Sequence, residues 1–106
     1  ISAMSKNKMY DAQVLQQQYE QWHDLHRQMR EAQQKWQAAE KLWQKLQAYY
    51  QSEQWLEDYE NAPELSCREG EYSILSQDTL WNALEERRQQ AIDWMKLSLS
   101  VIENET

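Results

Sequence analysis

One amphipathic repeat governs what this chain can fold into. Leu15, Trp22, Met29, Trp36, Trp43 and Tyr50 recur every seven residues, and Leu25, Ala32, Ala39 and Leu46 follow four of them three positions later. This is an a/d seam carried over five heptads, with Gln18 as its one polar member. The positions between are mostly Gln, Glu, Lys and Arg, and no Gly or Pro occurs between residues 1 and 62. The intervening residues are good helix formers, and the Gln series fills exposed helix positions. The pattern predicts one helix from about residue 9 to about residue 50, roughly 60 Å long at the α-helical rise.

The rest of the chain is read against that helix. Six Trp and six Tyr accompany a single Gly and a single Pro. So few turn-forming residues argue for a few long helices and against a many-stranded sheet. Within the seam, Trp36 and Trp43 alternate with Ala32 and Ala39. Large residues beside small ones let a second helix approach and interdigitate, so the aromatic stripe is read as core in preference to a ligand groove. Residues 4–13 carry weak signals and are expected to fray. Ile1-Ser2-Ala3 ahead of Met4 reads as an expression scar, which leaves a single domain over residues 4–106.

Past Tyr50 the pattern changes. Ser52 is suited to cap a new helix by accepting from a backbone N–H two or three residues on, with Glu53 at the positive helix end. A short helix over about 53–60 is expected, with Trp55, Leu56 and Tyr59 on one face; the alternative is a first helix running on to residue 60. Pro63 disfavours helix at Ala62, and residues 61–75 form a loop that Tyr72, Ile74 and Leu75 are expected to anchor. Ser76 as N-cap and Asp78 in the first turn predict a last helix over about 77–102. Its apolar residues are Leu80, Leu84, Ala91, Met95, Leu99 and Ile102, widened by Trp81, Ile92 and Trp94. Arg88 interrupts that stripe and is expected to lay its stem along the core. Residues 103–106 are expected to fray.

Charge is unevenly placed. The net charge is −7, but residues 1–52 balance at +2, residues 53–78 at −7 and residues 79–106 at −2. Direct nucleic-acid binding is disfavoured, because phosphates require a basic face. A basic protein partner suits the 53–78 segment, set against its reading as a solvated acidic surface. The lone Cys67 rules out an intrachain disulfide, and with no signal peptide in view a reducing cytoplasm is expected. No apolar run approaches the length needed to span a bilayer.

No catalytic set emerges. Cys67 beside Arg68 is a candidate thiolate, but the two histidines, His23 and His26, lie in the long helix. Glu20-x-x-His23 matches half of a helical-bundle di-iron motif, and the second half is missing. A single Gly offers no phosphate cradle. Neighbouring carboxylates such as Glu57 and Asp58 do acid–base work only where burial separates their affinities for protons. No metal and no cofactor is expected.

Residues 49–84 carry a further pattern: Tyr49-Tyr50-x-Ser52-x-x-Trp55-x-x-Asp58, then Ile74-Leu75-Ser76-Gln77-Asp78, then Leu84 in the next helix. It resembles an uncharacterised bacterial family of short, all-helical proteins, domain of unknown function 4298. Ser73 stands where that family tends to have Gly, and Gln77 where it has an acid. The resemblance implies an all-helical fold and carries no activity.

The reading is an all-α chain. Its long N-terminal helix packs antiparallel on the C-terminal helix, with a short middle helix and an acidic loop at one end. The first helix outreaches the last, so Leu15, Trp22 and Leu25 are candidates for an oligomer seam, with a homodimer or a partner helix covering them. The expected role is a non-catalytic protein-interaction or regulatory module. Its candidate interaction residues are Tyr49, Tyr50, Ser52, Trp55, Glu57, Asp58, Glu60, Ser76 and Asp78. Asp58 is expected to hold the loop or the Ser76 region by hydrogen bonds. The alternatives are a small ligand- or metal-binding bundle enzyme built around Trp22, Trp36, Trp43 and the His23/His26 region, an immunity- or antitoxin-like inhibitor of a basic partner, and a purely structural oligomer.

Overall fold

A computed structural model describes residues 9–105 of the chain. Among the described residues there are three helices and no strand: α1 over Ala12–Tyr50, α2 over Glu53–Asn61 and α3 over Thr79–Glu105. The fold class is therefore all-α. The expected scar at residues 1–3, most of the expected frayed start and Thr106 lie outside the described residues.

The heptad run forms one continuous helix, which starts slightly later than the seam implies. Asp11 supplies the start signal: its Oδ1 accepts from the N–H groups of Gln13 and Val14 at 2.9 and 3.4 Å, and its carbonyl accepts from Leu15 N–H at 3.0 Å. That is an N-cap serving the second and third helical residues. An Asp directly ahead of a helix-forming run is the sequence signal for this start.

The chain divides after Trp43 into two compact units, with α1 continuous through the division. In the first unit the seam is largely uncovered. Leu15, Trp22, Leu25 and Met29 are exposed, whereas Trp36 is half-buried and Trp43 is buried. Aromatic rings along this stretch stack on their own helix: Tyr19 on Trp22 and on His23, and Trp22 on His26 with ring centroids 4.8 Å apart.

In the second unit burial centres on Leu75 and on Leu80, the latter only 3% exposed. Leu46, Tyr50, Trp55, Ile74, Ala83, Leu84 and Ile92 are half-buried around this level of the chain. The break at Ser52 and the short second helix match expectation. The last helix differs at both ends. It starts at Thr79, with Asp78 in the cap position, its carbonyl accepting from Asn82 N–H at 2.8 Å. Ser76 lies instead in a turn, its N–H donating to the Ser73 carbonyl. The far end runs to Glu105, past the fraying expected from residue 103. Arg88 is exposed and the neighbouring Arg87 is the half-buried one, because a one-residue step turns a helical side chain by about 100°.

Candidate functional site

The residues singled out around positions 49–60 form a helical corner. Ser52 serves both helices that meet there. Its hydroxyl donates to the Tyr49 carbonyl at 2.6 Å, closing α1, and accepts from Trp55 N–H at 3.4 Å, opening α2. Its backbone is extended, with φ −87° and ψ 157°, as a cap residue requires. Glu53 follows in the first turn, where a carboxylate meets the positive end of the helix.

Trp55 ties α2 to the chain that returns after the loop. Its indole Nε1–H donates to the Ile74 carbonyl at 3.0 Å. The same ring meets Tyr50 edge-on, with centroids 5.0 Å apart, and stacks on Tyr59 at 5.3 Å. Trp55 thus acts as the plug beneath the loop, and Ile74 and Leu75 anchor the returning chain. Tyr72, expected to join them, is 81% exposed. Ser73 shapes this return: its Oγ accepts from Leu75 N–H at 3.1 Å and its carbonyl closes the turn to Ser76. Such a turn hydroxyl explains how Ser can stand where the resembling family tends to have Gly.

Asp58 has a different partner from the one expected. Its Oδ2 accepts from the Tyr49 hydroxyl at 2.5 Å, linking the last turn of α1 to the middle of α2. Among the described residues no hydrogen bond joins the Asp58 side chain to the Ser76 region; the loop and the cap are held by Trp55, Ser73 and Asp78 instead. The bond to Asp58, the partial desolvation of the ring and the charge of the carboxylate together hold the Tyr49 phenol above its ordinary value. Tyr49 and Asp58 are nine residues apart, a spacing no single helix brings together. Only the bend at Ser52 makes them neighbours.

Beyond Asp58 the chain leaves α2 through Ala62. This residue adopts a left-handed conformation, φ 46° and ψ 52°, and donates its N–H to the Asp58 carbonyl at 2.9 Å. Pro63 follows and ends the helix. In the acidic loop Gly70 takes φ 83° in a turn closed by Glu71 N–H to the Arg68 carbonyl. Arg68 also pairs with Glu71 at 3.4 Å. The segment's one cation is thus spent on a neighbouring carboxylate, while Glu57 and Glu60 lie exposed on α2. Cys67 is exposed, and its thiol faces the Leu65 carbonyl at 3.7 Å.

Ser76 and Asp78 line a separate feature of the same unit. Together with Tyr72, Asn82 and Glu86 they border an open cavity of about 490 Å³ at the start of α3. Among the described residues its wall carries two carboxylates and no cation. The histidines belong to the first unit, where they stack on Tyr19 and Trp22. Among the described residues no three His, Cys, Asp or Glu side chains converge in a metal-binding group, and no helix is long and apolar enough to cross a membrane.

A Ser-capped corner locked by a Tyr–carboxylate bond, with a Trp plug and an acidic flank, defines an all-α module of a long helix, a short corner helix and a last helix. The chain belongs to the family described as Domain of unknown function (DUF4298), whose model matches residues 12–97. That match takes in the whole corner and the Ile74–Asp78 turn. No curated protein and no solved structure matches the chain.

Proposed function

We propose that this protein is a non-catalytic interaction module whose acidic surface over residues 53–78 docks a basic protein partner in the cytoplasm. The observation that carries the reading is the charge pattern of the second unit. The whole net charge of −7 equals the balance of this one segment, and its only cation is paired within the segment. The corner supplies rigidity: Ser52 and the Tyr49–Asp58 bond fix α2, so Glu57 and Glu60 project from a held surface. The cavity beside Tyr72, Asp78 and Glu86 suits a basic side chain, which can lie on an aromatic face while its head meets a carboxylate. The same reading takes α3 to run antiparallel to α1 from the Tyr50 end, supported by the half-buried Leu46, Leu84 and Ile92.

The test is affinity capture of the partner, followed by binding isotherms with the purified pair at rising salt. Exposed charges are screened beyond roughly 8 Å at physiological ionic strength, so affinity should fall steeply as salt is added. Glu57→Lys with Glu60→Lys should weaken binding by tenfold or more while leaving the helical content unchanged. Asp58 is left intact in this test, because it also holds Tyr49. Binding indifferent to both salt and the double reversal would sink the reading.

A further inference from the structure

The first unit carries a face that the acidic-surface reading does not use. Trp22, Leu25 and Met29 are 52, 57 and 54% exposed, and Val14, Leu15 and Tyr19 lie exposed along the same stripe. The charge layout around this stripe is specific. Between Val14 and Gln33 no Asp, Glu, Lys or Arg occupies an a, d, e or g position of the heptad. Every charged residue in the interval, namely Glu20, Asp24, Arg27, Arg30 and Glu31, falls at b, c or f, away from the seam. Asp24 and Arg27 pair with each other there at 3.2 Å.

We propose that a second copy of this chain covers the Val14–Met29 face, the two α1 helices pairing parallel and in register. Two observations favour a second copy over another protein. The flanking e and g positions are Val14, Tyr19, Gln21, His26, Gln28 and Gln33, three of the six being amides. A Gln side chain both donates and accepts, so like can pair with like across a two-fold axis, whereas a flank carrying charges of one sign would repel its own copy. The area also suffices: half of each aromatic side chain of roughly 150–250 Å², with similar fractions of the aliphatic ones, amounts to on the order of 1,000 Å² for a pair, about the size of a specific interface.

Gln18 sets the register. It is the one polar member of the seam. Parallel in-register pairing places Gln18 against its own copy, amide to amide. Antiparallel pairing about Trp22 and Leu25 would set it against Met29 and leave the amide without a partner. This interface is independent of the acidic surface, and either can fail without the other.

Sedimentation velocity on the full chain, across a wide concentration range, tests the proposal. A mass doubling on concentration is expected, and a strict monomer at every concentration overturns it. Trp22→Glu should weaken the association at least tenfold with helical content kept, since the side chain is exposed in the single chain. A dimer that survives that change overturns the proposal. Gln18→Glu and Gln18→Lys each place like charges in register and should be monomeric alone at neutral pH. Mixing the two should restore a dimer, and failure of the mixture to associate overturns the parallel register.

Discussion

Tyr49 donates to the Asp58 carboxylate, and the bond acts on the phenol in a definite direction. Its proton affinity is raised from an ordinary value of 10.0, first by the bond to Asp58, then by desolvation and by the negative charge. A folded-state value above the unfolded one means that the native chain holds the proton more tightly. The contribution to stability is complete below about pH 10 and is lost as pH rises through the folded value. Asp58→Asn keeps an acceptor but removes the charge. The phenolate absorbance titration of Tyr49 should then move back towards the ordinary tyrosine range, and stability above pH 10 should fall less steeply than in the parent. An unchanged titration curve would mean that Asp58 does not govern Tyr49 in solution. The sequence made parts of this site legible. Ser52 and Trp55 were readable because a cap acts on the next turn and a large ring beside Pro-terminated helix has few places to go. The Tyr49–Asp58 pair was not, because its existence depends on the angle of the bend, which local propensity does not specify.

The elements are defined by how their ends are satisfied, and the two ends of α2 give opposite predictions. At its start Ser52 is well matched, with one hydroxyl serving both helices. Ser52→Ala should cost about 1 kcal/mol, and Ser52→Gly only a few tenths, since Gly tolerates the cap geometry. At its end Ala62 is poorly matched, an L-residue with a Cβ held at φ 46°. Ala62→Gly should therefore stabilise the chain by roughly 0.5–1 kcal/mol, relief of the left-handed strain outweighing the added freedom of the unfolded chain. Denaturant titration checks all three changes, and a destabilised Ala62→Gly would show that the left-handed turn is not the solution structure. The start of α3 shows why boundaries are harder to read than elements. Ser76 and Asp78 are both good caps by residue type. Ser73 decides between them, by drawing Leu75 and Ser76 into a turn and postponing the helix to Thr79. At the start of α1 the apolar and aromatic character of Met9 and Tyr10 continues past the helix, and the Asp11 cap is what sets the boundary.

For the molecule as a whole, periodicity identified which residues are apolar and on which helical face, and it carried the fold class. It did not specify what covers each face, because one heptad stripe fits an intrachain helix, a second copy or another protein equally well. The burial pattern bears on this choice. Among the described residues Trp43, Leu75 and Leu80 are the buried apolar ones, whereas the seam from Leu15 to Met29 is open. A helix held only by its own backbone bonds is marginal in water, and most helical stability in proteins comes from a packed face. Local opening should therefore be graded along α1. In hydrogen exchange on dilute protein, amides over residues 15–34 should exchange far faster than those near Trp43 and Leu80. Raising the concentration should slow exchange in the 15–34 stretch selectively, because pairing through the seam supplies the missing cover there and leaves the second unit unchanged. Trp22→Glu should abolish that concentration dependence without altering protection around Leu80. Uniform, concentration-independent protection along the whole of α1 would instead show that the seam is already covered within one chain, and the division of the molecule into an open helix and a packed corner would have to be given up.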